Sequence, residues 1–380
     1  MEAKFSSNAD VLIVGGGPSG LSLALALAQK SKFCVSLVER NGETTEKFGE
    51  VLSPAIIEPL SQLGIWERFT AEDHQASAGV SIWWGSGQRY DWDYIRLAYG
   101  CGWHVNRARF DHLLFEAAQE AGVVIHQKVK VKDVIQLSDD SWLIHGISNE
   151  GHSMTWTTRF LVHAAGRTNL FHKFTGPRIR FDRLVGLARY YSRSAESIAS
   201  EARLWVEATP YGWWYSATLP DDRCVAVFLT DSDYLTAPKH ACFDYFLTQG
   251  SVTRERLAGY VPLPLVQAAP ADSSRSTRYT GPAFLTIGDA AFSTDPLRGH
   301  GILNALRHAT TSADVIINYL NGSYSDLKLF DQQLEADFSR YLSGLTEHYN
   351  TELRWRDSKF WSRRHRTTEG NSGYREHLSQ

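Results

Sequence analysis

Val11-Leu12-Ile13-Val14-Gly15-Gly16-Gly17-Pro18-Ser19-Gly20 decides how the first part of this chain folds. Asp10 to Val14 is a short apolar run that reads as a strand, and Leu21 to Gln29 has helical composition. Between them stands the G-x-G-x-x-G spacing of a dinucleotide site, carried by Gly15, Gly17 and Gly20. The three glycines have separate tasks: a tight turn, close backbone approach to a pyrophosphate, and close helix–strand packing. Pro18 and Ser19 open the helix, whose free N–H groups and dipole face the phosphates. Val35 to Glu39 reads as the second strand of a βαβ unit. Glu39 ends it where a carboxylate accepts ribose hydroxyls, with Arg40 beside it as a further cofactor contact.

A second fingerprint lies far downstream: Leu285-Thr286-Ile287-Gly288-Asp289-Ala290-Ala291, then Asp295-Pro296-Leu297-Arg298-Gly299-His300-Gly301. Asp289 follows the apolar strand Ala283 to Ile287, so its carboxylate stands at the carboxyl end of a sheet, where ligands bind. There it can accept a hydrogen bond from a ribityl hydroxyl. Pro296, Gly299, Gly301 and Ile302 precede or open the next helix. Small residues and free N–H groups at that point can approach a flavin pyrimidine edge and stabilise negative charge on the reduced ring. The pair of fingerprints points to FAD, held by one fold whose two halves are far apart in sequence. His300 and Asn304 are the polar residues best placed to touch flavin or substrate, although His300 reads equally as a surface histidine in a glycine turn.

Between the fingerprints, Val51 to Phe69 and Arg109 to Ala121 look helical, and Val80 to Trp84 with Tyr90 to Tyr94 looks like a hairpin. Strand-like runs follow at Val123 to His126, Lys128 to Leu137, Trp142 to Ile147 and Met154 to Val162. Leu184 to Leu229 alternates apolar and polar residues between turn signals, the pattern of an antiparallel sheet with one covered face. Gly301 to Asn321 is again helical, and Tyr324 to Arg366 is a mostly helical tail. The expected fold is α/β: a Rossmann-like FAD-binding domain with an inserted antiparallel β-sheet substrate domain and a helical C-terminal tail. The FAD-binding domain is expected to be discontinuous (1–78, 101–176 and 276–322). The substrate domain takes 79–100 and 177–275, and the C-terminal region 323–380.

Composition bounds the partners. A length of 380 residues suits two or three domains, and 43% apolar content fills a sizeable core. The net charge of −3 argues against a nucleic-acid partner. Cys34, Cys101, Cys224 and Cys242 form no CxxC pair, and no histidine cluster has metal-ligand spacing, so no metal is expected and the thiols read as reduced. The first ten residues are polar, and Val11 to Ala28 is interrupted by glycines and a proline, so no membrane partner and a cytoplasmic location are expected.

Twelve tryptophans are many for this length. Trp83, Trp213, Trp214 and Tyr215 fall in or beside the expected substrate sheet. Together they read either as an aromatic-walled pocket for an indole or phenol, or as core filling between layers. Glu50 reads as a catalytic base near the flavin or as a helix-start carboxylate. Arg107 opens a helix and either pairs with the pyrophosphate or is solvated there. From Arg354 to Arg366 six basic residues stand against Asp357 alone, with Trp355, Phe360 and Trp361 interleaved. That tail either docks an acidic partner or packs its aromatics on the core.

The motifs GxGxxG…E, VxRxxFD (Val105 to Asp111) and GDAA…PLxGxG together resemble the class A flavoprotein monooxygenase and flavin-dependent halogenase superfamily, over about residues 8 to 320. The resemblance implies FAD, reduced and then used with oxygen to oxygenate or halogenate an electron-rich ring. It also favours pyrophosphate binding by Arg107. Two departures matter. Val162-His163-Ala164-Ala165-Gly166-Arg167 has alanine where hydroxylases that use NADPH directly carry an Asp-Gly pair, which implies a separate reductase or other electron donor. Gly212-Trp213-Trp214-Tyr215-Ser216-Ala217-Thr218-Leu219-Pro220 does not match the halogenase W-x-W-x-I-P motif, and Gln75 to Ser81 lacks the halogenase lysine.

A further likeness is to flavoproteins of the LodB/GoxB type, carried by Gly49-Glu50-Val51-Leu52-Ser53-Pro54, by Gly212 to Pro220 and by the tail from Tyr349 to Arg364. It implies oxygenation of a tryptophan side chain in a precursor oxidase, on the way to a tryptophylquinone cofactor. The alternatives are a small-molecule aromatic hydroxylase or halogenase, and a non-catalytic flavin-stabilised assembly factor for an oxidase.

Overall fold

The computed structural model describes residues 5–42, 50–97, 100–194 and 201–365. Gly49 and residues 366–380, which carry part of the motif before Pro54 and the end of the basic tail, lie outside them.

The first layer is an eight-stranded mixed sheet. Its parallel ladder runs Phe284–Thr286, Ser153–His163, Phe5–Val14, Val35–Val38 and Val124–His126, so the two fingerprints meet in one sheet although far apart in sequence. Val11, Leu12, Ile13, Leu161 and Val162 are fully buried in it, the continuous apolar reading of strands covered on both faces. The hairpin partners Val129–Gln136 and Trp142–Ser148 extend the sheet in antiparallel register. Helix Pro18–Lys30 follows the glycine turn and packs beside helix Gly301–Leu320, which follows the second fingerprint.

The second layer is a seven-stranded sheet in the order Tyr260–Pro270, Leu184–Arg193, Arg223–Asp231, Gly212–Thr218, Arg203–Thr209, Gly79–Trp83 and Arg89–Asp93. It departs from the antiparallel expectation at one ladder: Arg203–Thr209 pairs in parallel with Gly79–Trp83. Strands brought from distant segments are not bound by a hairpin turn to run in opposite directions. The edge strand Tyr260–Pro270 and helices Lys239–Gln249 and Ser251–Arg256 complete this layer. Pro262 and Pro264 fit an edge, where a missing N–H breaks no inner ladder.

The expected helix from Val51 to Phe69 is interrupted. Val51–Leu52 is a strand, and the helical part divides into Ile57–Gln62 and Trp66–Ala71 around Gly64, whose φ is +67°. At the C-terminus, helix Ser325–Asn350 buries Phe330, Leu334, Phe338, Tyr341, Leu345 and Tyr349. Spacings of three and four residues put that stripe on one face. The short helix Lys359–Ser362 then buries Phe360 and Trp361 completely. No helix among the described residues is long and apolar enough to cross a membrane.

Candidate active site

A cavity of about 960 Å³ is walled by both sheets and by the loops at the carboxyl ends of the parallel strands. Gly15, Gly17, Pro18, Ser19, Glu39, Arg40, Glu50, Arg107, Asp289, Pro296, Gly299, Gly301 and Ile302 line it, as do Trp213 and Tyr215. Five other residues singled out in the sequence do not: Gly20, His300, Asn304, Trp83 and Trp214.

The glycines explain the shape of the cradle. Gly15 has φ +115°, and a Cβ there would stand 2.3 Å from the Ala164 carbonyl oxygen. A Cβ at Gly20 would stand 1.9 Å from the Gly15 oxygen, so Gly20 serves helix–strand packing away from the cavity. Gly17, Gly299 and Gly301 differ: nothing lies within 4 Å of where their Cβ atoms would be. They present bare backbone to open space. Gly17 caps helix Pro18–Lys30 and Gly301 begins helix Gly301–Leu320, neither with a side-chain cap, so first-turn N–H groups and both dipoles are open to an anionic ligand. At the far end Glu39 accepts hydrogen bonds from the N–H groups of Gly16 (2.6 Å) and Asn41 (2.8 Å). Arg107 is buried and paired with Asp111 at 3.1 Å. Asp289 is half-exposed, with Arg167 Nε at 3.6 Å.

The sheet side is aromatic and apolar: Leu204, Val206, Trp213, Tyr215, Val227 and Leu229 face the cavity. Side chains alternate along a strand, so Trp213 and Tyr215 share this face and Trp214 cannot. Trp214 packs on the other face against Phe228 (4.7 Å between ring centroids) and Phe243 (5.0 Å). Trp83 is likewise displaced, lying against Trp205 at 5.0 Å with Arg89 over its ring. Both belong to packing, and the expectation that they wall the pocket is corrected.

Glu50 is the carboxylate of this half, 3% exposed. The Tyr190 hydroxyl donates to it at 2.8 Å, and Tyr215 is hydrogen-bonded to it as well. Burial, then the Glu50 charge, pushes the Tyr215 phenol well above its usual range, so it stays protonated. Tyr190 escaped the sequence reading; its only signal was an aromatic inside the alternating stretch.

A second polar line reaches the cavity wall from the tail. Trp213 Nε1–H donates to Tyr349 Oη (2.9 Å), and the Tyr349 hydroxyl donates to Asp295 Oδ2 (2.7 Å). Asp295 Oδ1 accepts the Leu297 N–H (2.8 Å), which fixes the start of the loop leading to Gly301. Burial, reinforced by the Asp182 carboxylate, pushes Asp295 up to about 7. Its place directly before Pro296 was visible in the motif; its link to Tyr349 was not.

His300 turns away from this cavity into a neighbouring one, together with Asn304, so neither lines the cradle as expected. Burial, then Arg298 and Arg307, lowers the pKa of the His300 imidazole.

The tail places its charge inward. Arg363 reaches Asp231 (2.6 Å) and Asp233 (2.8 Å), Arg364 reaches Asp231 (2.8 Å), and Lys359 reaches Asp233 (2.7 Å). Arg354 is held by Glu352 at 2.6 Å. These cations are engaged within the chain, and Phe360 and Trp361 are core residues.

Residues 8–183 match the FAD binding domain family. Over 94% of its length the chain is 27% identical to the FAD-dependent oxidoreductase LodB of Marinomonas mediterranea, covering 96% of that protein. Its fold is shared with the myxobacterial chondrochloren halogenase CndH (TM-score 0.88, 23% identity, 96% of this chain and 88% of that one). It is also shared with the peptidyl tryptophan dihydroxylase QhpG, essential for tryptophylquinone cofactor biogenesis (TM-score 0.73, 22% identity, 94% and 78%). The match to an FAD-binding domain thus lies in residues 8–183, and the chain is an FAD-dependent oxidoreductase whose fold is shared with a flavin-dependent halogenase and a peptidyl tryptophan dihydroxylase.

Proposed function

We propose that this protein is a monooxygenase that oxygenates an aromatic ring, with a tryptophan side chain of a precursor oxidase as its substrate. The observation that carries this reading is the continuity of one cavity from a bare-glycine cradle to a half walled by Trp213 and Tyr215 and equipped with the buried Glu50–Tyr190–Tyr215 cluster. Its substrate class rests on similarity to LodB and on what QhpG is named for.

In this reading Glu39, Arg40 and Asn41 would hold the adenosine end of FAD, and Gly15 to Ser19 with Arg107 its pyrophosphate. Asp289 takes a ribityl hydroxyl. Pro296, Gly299, Gly301 and Ile302 would meet the pyrimidine edge, where the helix N-terminus would stabilise charge. Bound FAD, once reduced, supplies the oxygen chemistry. Trp213 and the apolar sheet side exclude water and hold the substrate ring. Glu50 receives the proton released when a ring C–H becomes C–OH, and the Tyr190 and Tyr215 hydroxyls fix its orientation. One oxygen atom of O₂ enters the ring and the other leaves as water, with two electrons from a separate reductase. His300 is not given a catalytic role.

The domain division proposed from the sequence is compatible with this placement, the cavity lying where the FAD-binding and substrate segments meet. A second reading, halogenation, has the fold of CndH in its favour. Against it stands the absence of lysine from the Gln75 to Ser81 stretch.

The test is coexpression with a candidate oxidase precursor and a reductase, followed by intact and peptide mass of the precursor. One or two added oxygens on a tryptophan peptide, reduced at least about 100-fold in rate by Glu50→Gln with flavin content retained, is the expected result. A halogen isotope pattern would favour the second reading. An unaltered precursor mass after incubation with this protein, reductant and air would favour an assembly factor.

A further inference from the structure

Behind the loop that closes the flavin cradle is a separate cavity of about 520 Å³, between helices Gly301–Leu320 and Ser325–Asn350. The loop is a wall one residue thick. Gly299 and Gly301 line the cradle, Arg298 and His300 line the cavity behind, and Thr294 lines both. Three arginines, Arg298, Arg307 and Arg340, stand in this second cavity against the single carboxylate of Asp337.

The cations are incompletely used. Arg340 is paired with Asp337 at 3.0 Å, and Arg307 meets Glu58 at 3.2 Å. Arg298 makes no ion pair among the described residues. His308, only 9% exposed, also lines the cavity. Its Nε2 lies 3.6 Å from Asp337, and its Nδ1 has no hydrogen-bond partner among the described residues. Phe330, Leu334 and Tyr341 give the lining an apolar and aromatic part, beside the polar side chains of Asn304, Thr311 and Gln333. Positive charge at one part and apolar surface at another select an amphipathic anion.

We propose that this cavity binds a phosphate-bearing small molecule with a planar or apolar body, about the size of a nucleoside monophosphate, and that its binding is sensed by the flavin through the shared Thr294 to Gly301 loop. The phosphate meets Arg298 and Arg340, and the body lies on Phe330 and Leu334. An anion beside Arg298 offsets positive charge one residue away from the cradle, so the flavin spectrum responds.

The test uses FAD-loaded protein, in which the adenosine end of the cradle is already filled. AMP, inorganic phosphate and adenosine are titrated at constant ionic strength, with calorimetry and the flavin absorption spectrum read together. Saturable one-to-one binding of AMP, tighter than phosphate or adenosine alone and accompanied by a flavin spectral shift, is expected. Arg298→Gln should weaken AMP at least about tenfold, as loss of a charged hydrogen bond does. Because Arg298 sits in the loop, Arg340→Gln on the exposed rim is the second variant and should weaken AMP by about threefold or more with FAD content unchanged. Adenosine binding as tightly as AMP, or AMP binding indifferent to both substitutions, overturns the site. Phosphate binding as tightly as AMP overturns the role of the apolar floor. Saturable AMP binding with an unchanged flavin spectrum overturns the coupling.

Discussion

Gly15 and Gly17 stand two residues apart and do unlike things. Gly15 is required by the chain itself, through its φ of +115° and the Ala164 oxygen at 2.3 Å from a would-be Cβ. Gly17 faces only open space. Gly15→Ala should therefore destabilise even the flavin-free protein by at least about 2 kcal/mol. Gly17→Ala should leave the melting of that flavin-free protein nearly unchanged while lowering the flavin-to-protein absorbance ratio after purification. Equal loss of stability in both variants would show that the difference in their surroundings is unimportant. A second residue-scale consequence concerns Asp295, whose carboxyl titrates near 7 in the fold, against an ordinary 3.8. The folded state holds this proton more tightly, so its stabilising contribution is complete below about pH 4 and is lost as pH rises towards 7. Melting temperature should fall between about pH 4 and 7 and level off above, and Asp295→Asn should flatten that slope. The acidic residue was legible beside Pro296; its burial under Tyr349 was not, because residues 54 apart in sequence meet only after folding.

At the scale of elements, strand periodicity settles which aromatics face the cavity. Gly212–Thr218 carries Trp213, Trp214 and Tyr215 in succession, and a period of two allows only the first and third on one face. That rule was available from the sequence, and it already argued against three consecutive pocket residues. Trp214 instead fills a core between the seven-stranded sheet and helix Lys239–Gln249, with Phe228, Phe243 and Phe246. Trp214→Ala should cost about 3–5 kcal/mol in denaturant unfolding, with flavin content preserved in the folded fraction. A variant of near-native stability that had lost flavin would place Trp214 in the site after all. The parallel ladder between Arg203–Thr209 and Gly79–Trp83 had no comparable signal, since pairing of distant strands is decided by the layer they join.

For the whole molecule, the tail is the element whose meaning changed most between chain and fold. Its run of basic residues invited a docking role, yet Arg363 and Arg364 converge on Asp231, which is 1% exposed. Removing that carboxylate leaves the Arg364 guanidinium without its carboxylate and Arg363 with Asp233 alone. Asp231→Ala should destabilise by about 3–5 kcal/mol. Asp233→Ala, at a more open site shared with Lys359, should cost less and depend more on salt. Comparable small effects in chemical denaturation would mean that the tail is not clamped by these pairs. Through Trp213–Tyr349–Asp295 the same tail also supports the cavity wall, so loosening it should reach the flavin loop.

What the sequence by itself determined was local and periodic. Glycine spacing, apolar strands and the two helix starts placed the cradle, because a tight turn and a bare helix N-terminus are properties of a few adjacent residues. Tertiary structure decided the rest: which face Trp213 and Trp214 take, that Glu50 is gathered with Tyr190 and Tyr215, that His300 lines the neighbouring cavity, and that Arg363 and Arg364 of the tail are paired inside the chain. Each of these depends on contacts between segments far apart in the chain, and such contacts exist only once the two sheets and the C-terminal helix have packed together.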